Sequence, residues 1–160
     1  WLVLIAVFIY LGAGAEERMT RVTRALEGMR VGDLMETRVG RVEEDASMDR
    51  VVRGMMENRW DRTVVVRDGD PVGLVDADRL RGLDGSEELA GLQVGEVMTP
   101  VEDQLSPQGE AVDALRRIRS KGQGDLVVTE GGQTVGVLGM REILQTAQLR
   151  GWTGEGREHV

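Results

Sequence analysis

One unit is written twice in this chain of 160 residues. Val31-Gly32-Asp33-Leu34-Met35 returns as Val94-Gly95-Glu96-Val97-Met98, a shift of 63 positions (94 less 31). The same shift carries Val64-Val65 onto Val127-Val128, Gly69 onto Gly132, and Val72-Gly73-Leu74-Val75 onto Val135-Gly136-Val137-Leu138. No gap intervenes. Chance does not hold one register over such a span, so the feature is an internal duplication. A copy of about 55 residues is near the lower limit for folding alone, so the two are expected to pack on each other about a pseudo-twofold axis.

Each copy has the same local order. The V-G-acid-aliphatic-Met start leads to an irregular stretch, 36–45 or 99–108. A helix follows, with Met48, Val51, Val52 and Met55, or Ala111, Ala114, Leu115 and Ile118, spaced to share its inner face. Asp45 or Ser47 is placed to cap the first of these helices. Two β-branched runs come next, 63–66 and 72–75 around Asp68-Gly69, then 126–129 and 135–138 around Gly131-Gly132. Asp-Gly and Gly-Gly accept the positive φ angles of a tight hairpin turn. A closing helix is expected near 77–81 and 140–149. The pattern is that of an α/β (α+β) protein: unit one over 30–83, a polar glycine-bearing linker over 84–92, unit two over 93–149 and a flexible tail over 150–160.

Composition narrows the chemistry. With 28 acids against 20 bases the net charge is −8, which argues against a nucleic-acid surface. There is no cysteine, and the one histidine, His159, lies beside the C-terminus, so thiol chemistry, a histidine metal site and a Ser-His-Asp triad have nothing to build on. Ser86 and Ser106 have no base near them. Glu43-Glu44-Asp45 and Glu87-Glu88 lack the ligand spacing of a calcium loop and read as solvated surface. Arg116, Arg117 and Arg119 read as a solvated helix face. Trp60 reads as a packing residue at the hairpin edge, with stacking on an adenine as the other use.

Residues 1–15 carry no charge, and the first eleven are all apolar or aromatic. That is short of the roughly 20 residues of a complete membrane span, and the chain begins at Trp rather than Met. The expectation is the end of a transmembrane helix, with Arg18, Arg21, Arg24 and Arg30 marking the cytoplasmic side. A signal-peptide core ending at Ala13-Gly14-Ala15 and a buried strand or helix stay open. Residues 16–29 read as an amphipathic connector helix, with Met19, Val22, Leu26 and Met29 on one face.

The repeated unit resembles the CBS domain, and two in tandem resemble the CBS pair called a Bateman module. The resemblance implies two β-α-β-β-α units with pseudo-twofold symmetry. It further implies clefts for an adenosine ligand such as AMP, ATP or S-adenosylmethionine, a homodimer, and regulation of an attached protein. The family's ligand signature is Gly-aliphatic-aliphatic-Thr/Ser-x-x-Asp. In copy one Gly73 leads to Asp76 at the Thr place and Arg79 at the Asp place, so that site is degenerate: a carboxylate repels phosphate, and a guanidinium cannot accept from ribose. In copy two Gly136 leads to Gly139 and Glu142. Glu142 keeps the acceptor and Gly139 leaves amides open, so a site of Gly136, Gly139, Glu142, Val128 and Thr129 is expected. The plain alternative is that Asp76 caps its helix and Glu142 is a solvated acid.

Phe8-Ile9-Tyr10-Leu11-Gly12-Ala13 with Glu16-Glu17 resembles the end of the last membrane helix in CBS-bearing site-2 proteases, intramembrane zinc metalloproteases. Their H-E-x-x-H helix does not occur here, so on this resemblance catalysis and zinc belong to an upstream membrane domain. The expectation is a cytoplasmic regulatory pair on such a protease. A ligand-free dimerisation module and the regulatory pair of an ion transporter are the alternatives.

Overall fold

The computed structural model describes residues 19–81, 91–122 and 124–154, with Trp1 and Val3. Residues 19–26 form α1. Copy one continues with α2 (Val31–Leu34), β1 (Gly40–Glu43), α3 (Met48–Asn58), β2 (Arg62–Arg67), β3 (Asp70–Asp76) and α4 (Ala77–Arg81). Copy two repeats this as α5 (Val94–Val97), β4 (Thr99–Pro100), β5 (Gln104–Leu105), α6 (Ala111–Lys121), β6 (Asp125–Glu130), β7 (Gln133–Gly139) and α7 (Met140–Gly154). The two hairpins stand where the β-branched runs put them. Their turns place Asp68 at φ 53°, Gly69 at 91°, Gly131 at 58° and Gly132 at 80°. Ser47 caps α3, its hydroxyl accepting from the Arg50 amide at 3.4 Å.

The sheets are β1-β2-β3-β4 and β5-β6-β7, with parallel first pairs and antiparallel hairpins. β4 comes from copy two but pairs with β3 of copy one, Leu74 opposite Thr99. The reverse exchange is the bridge of Glu36 to Val137, closed by two amide-to-carbonyl bonds of 2.9 Å. Further reciprocal bonds follow the same shift. Val31 donates to the Gly109 carbonyl and Val94 to that of Ala46, both at 2.8 Å. The hairpin irregularities also match, at Val65/Val66 and Val128/Thr129. Each copy's lead-in segment thus completes the other copy's sheet.

Gly73 and Gly136 make this exchange possible. A Cβ on Gly136 would stand 2.7 Å from the Glu36 carbonyl oxygen and 3.0 Å from the Met35 sulfur; one on Gly73 would run into Met98. Between the sheets Val64, Val66, Leu74, Val127 and Val137 form a shared apolar centre. The alternate residues of β2 and β6 face the helices, Val65 in one helical core and Val128 in the other.

Three differences from the sequence reading have physical reasons. The stretches read as irregular contain β1, β4 and β5, because pairing with a buried hairpin makes strands of segments with few apolar residues. The closing helix of copy two runs on to Gly154, past the boundary at 149, where Arg150 donates to the Ala25 carbonyl at 3.1 Å and ties it to α1. The connector helix ends at 26, in a turn with Gly28 at φ 76°. Leu26 is fully buried in the core of copy two, so α1 precedes copy one in sequence but packs on copy two.

Among the described residues no helix is long and apolar enough to cross a membrane. The expected membrane-helix end lies, save for Trp1 and Val3, outside the described residues, as do Ser86, Glu87-Glu88 and His159.

Candidate functional site

The strand-to-helix turns, β3 into α4 and β7 into α7, each adjoin a cleft between the copies. The first, about 300 Å³, is lined by Asp76 and Arg79 of copy one with Thr99, Asp103 and Asp125 of copy two. The second, about 360 Å³, is lined by Met35, Glu36 and Asp61 of copy one with Arg141, Glu142 and Gln145 of α7. A small recess of about 50 Å³ adjoins it, walled by Glu36, Arg38, Arg59, Asp61, Arg62 and Arg141.

One guanidinium stands between the clefts. The Arg62 side chain is 4 % exposed. Its Nε donates to Asp125 at 2.9 Å and lies 3.6 Å from Asp76, and its Nη1 donates to Glu142 at 2.8 Å. Burial is the largest single influence on Arg62 and disfavours its charge, but the hydrogen bond with Glu142 and the charges of Asp125 and Glu142 outweigh it and raise its pKa. Burial likewise pushes the Asp125 carboxyl up, only partly offset by Arg62. Burial also pushes on Glu142, yet the bond and charge of Arg62, with help from the Gly139 amide, hold it below the usual carboxylate range. Three carboxylates thus share one buried cation, and the tightest of them keeps its charge.

The expected site of copy two is only partly assembled. Glu142 lies in the second cleft with its side chain 11 % exposed, so it is not a solvated helical acid. Three donors already use it: Arg62, Arg141 Nε at 3.2 Å, and the Gly139 amide at 3.0 Å. The Gly139 amide is therefore not open, as the sequence reading had it. A carboxylate offers about four acceptor positions, so these bonds use most of its capacity. A Cβ on Gly139 would collide with the Asp125 carboxylate, which explains glycine there. Gly136 serves the strand exchange, Val128 is buried in the core, and Thr129 lies toward the far end of the hairpin, bonding Gln104 at 3.0 Å.

In copy one Gly73 serves the exchange, Asp76 caps the start of α4 by accepting from the Asp78 amide at 2.6 Å, and Arg79 bonds Thr99 at 3.0 Å. Trp60 packs toward Gly40 and Gly54 and lines neither cleft. Among the described residues no group of acidic or histidine side chains is arranged to hold a metal ion. Sequence reasoning missed Arg62. The signal was present: the 63-residue shift sets Arg62 opposite Asp125, and a repeat with opposite charges at one position invites a bond across its axis.

The sequence profile of the CBS domain matches residues 31–84 and 94–148. Among curated proteins the chain is similar to arabinose 5-phosphate isomerase of Salmonella typhi, 28 % identical over 121 residues, 73 % of this chain and 37 % of that protein. It is also similar to a zinc metalloprotease of Methanocaldococcus jannaschii, 23 % identical over 148 residues, 92 % of this chain and 41 % of that protein. The chain spans about two fifths of the length of these relatives. The CBS domain of a bacterial CNNM/CorC family Mg2+ transporter, solved in complex with ATP, superposes with a TM-score of 0.65 at 24 % identity, covering 84 % of this chain and 97 % of that one.

Proposed function

This chain belongs to the CBS domain family, and from that membership we propose that it is the cytoplasmic regulatory pair of a membrane-embedded site-2-type zinc metalloprotease, sensing an adenosine ligand in its second cleft. One observation carries the reading: that cleft is built jointly from Glu36 and Asp61 of copy one and Glu142 and Gln145 of copy two. A ligand there touches both copies, which is the geometry that differential affinity for their relative arrangements calls for. α7 leads from this cleft to Arg150 and its bond to α1, which gives the arrangement a route toward the N-terminal side. The ATP-bound transporter domain supports a nucleotide as the ligand, and the archaeal metalloprotease, aligned over most of this chain, supports the parent. The same reading takes the pair to be a homodimer and places zinc and catalysis in the upstream membrane domain.

The test is a thermal-unfolding panel with AMP, ADP, ATP and S-adenosylmethionine. A ligand at 100 times its dissociation constant adds about 2.7 kcal/mol. Glu142→Ala should weaken binding and Arg79→Ala should not. An intact dimer that responds to none of the four would favour the alternative, a ligand-free dimerisation module. A parent gene without an upstream H-E-x-x-H would remove the protease assignment and leave room for an ion transporter.

A further inference from the structure

We propose that the outer face of α1, carrying Arg21 and Arg24, docks on anionic lipid headgroups and makes copy two the membrane-proximal half of the pair. The inference rests on residues 1–15 entering a bilayer, but not on a ligand in either cleft. Helical spacing divides α1 into two faces. Met19, Val22 and Leu26 pack into the core of copy two, with Leu26 fully buried. Arg21 and Arg24, three positions apart and so neighbours on the helix surface, stand on the opposite side and are exposed. No carboxylate of the described residues lies within ion-pair distance of either.

Charge and position in the sequence name the occupant. Residues 18–30 hold Arg18, Arg21, Arg24 and Arg30 against Glu27, in a chain whose net charge is −8. This excess is not a trait of the repeat, because the shift of 63 sets Asp84 opposite Arg21 and Glu87 opposite Arg24. Of the two lead-ins, the basic one is the one that follows an uncharged apolar stretch. Ala15 and Met19 are four residues apart, at most about 14 Å of chain, so a bilayer holding the apolar stretch brings its headgroups close to α1. Glu16 and Glu17 oppose the attraction, while each arginine near an anionic surface favours it by about fivefold. α7 comes up beside α1 through the bond of Arg150 to the Ala25 carbonyl, and Leu149 next to it is 57 % exposed. A basic and apolar pairing of this kind suits the boundary between headgroups and acyl chains. An acidic protein would meet the same arginines, but would not explain why they adjoin the apolar stretch.

Flotation of the full chain with two kinds of vesicle tests this: phosphatidylcholine alone, and phosphatidylcholine mixed with phosphatidylserine. The mixed vesicles should bind more tightly, and the difference should shrink as salt is raised. The double variant Arg21→Gln with Arg24→Gln, both on an exposed face, should lower that difference at least tenfold. The pair Arg116→Gln with Arg119→Gln on α6 removes the same charge elsewhere and should leave the difference unchanged. Such a result with binding to neutral vesicles as well supports both the docking face and the membrane reading of residues 1–15. The same result without neutral binding supports the docking face and sinks that membrane reading. Equal binding to both vesicles overturns the proposal and leaves the membrane reading standing. Equal losses in the two double variants would assign the effect to net charge rather than to α1, and overturn it too. Binding to polyglutamate in solution with no preference for the mixed vesicles would give the face to an acidic protein, and binding to nothing would sink both ideas.

Discussion

Asp76, Arg79 and Asp103 line the first cleft, and the residues 63 positions away are Gly139, Glu142 and, in copy one, Gly40, of which Glu142 lines the second cleft. The backbones agree closely enough for the same amide-to-carbonyl bonds to recur at the same shift, yet the side chains at these positions differ in charge, two aspartates standing opposite glycines and Arg79 opposite Glu142. The difference teaches where this fold keeps its constraints. Apolar positions and the two exchange glycines hold both halves to one plan, while rim residues make few backbone-defining contacts and are free to diverge. Arg62 and Asp125 show the outcome: one repeat position, two charges, and a bond of 2.9 Å between them.

The comparison breaks most severely at Arg62. Arg62→Ala leaves Asp125 and Glu142 buried without their cation and should cost about 3–5 kcal/mol of unfolding free energy. Arg79→Ala, exposed in the other cleft, should stay within about 0.5 kcal/mol. Equilibrium urea unfolding measures both, and equal costs would show that the asymmetry carries no energy.

The exchange glycines come next. Gly136→Ala pushes against a backbone carbonyl and Gly73→Ala against a flexible methionine, so each should cost about 1–3 kcal/mol, with Gly136 the costlier. Reversal of that order would mean that the lead-in of copy one yields more easily than the Met98 side chain. Arg59→Gly should then raise stability by about 0.5–1 kcal/mol, relieving the left-handed strain at some cost in chain entropy, while Gly122→Ala should lower it by a similar amount. Thermal unfolding of the two variants side by side checks the pair.

The smallest effect is one of slope. Glu142 is held below its ordinary value, so its stabilisation is present above the usual carboxylate range and lost as pH falls through it. Asp125 is pushed above its ordinary value, so its contribution is complete at low pH and lost as pH rises. Glu142→Gln should therefore flatten the acid-side fall of stability, and Asp125→Asn should steepen it. Urea midpoints across the acid range would show the opposite slopes, and parallel curves would contradict them.

Most of the fold was legible because both hairpins carry β-branched runs around residues suited to positive φ, and because Met48, Val51 and Met55 keep helical spacing. β1 was not legible: Gly40-Arg41-Val42-Glu43 holds one large apolar residue and becomes a strand only by lying parallel to β2. The exchange was hidden for a related reason, since nothing local in Met35-Glu36 states which hairpin it will meet. Of the candidate site, the turn positions were readable from the repeat, and Glu142 does face its cleft. That its carboxylate is already held by Arg62 was not readable, because an arginine between Asp61 and Thr63 looks like any surface charge until the other copy is brought against it.

The crossing of lead-in segments also bears on how such a gene arises. A lone unit trading that segment with an identical twin would satisfy the same hydrogen bonds that Glu36 and Val137, or Leu74 and Thr99, satisfy here. Fusion of two genes for such a unit needs only a tether between partners that already interlock, and from that moment each half can mutate its rim without the other following.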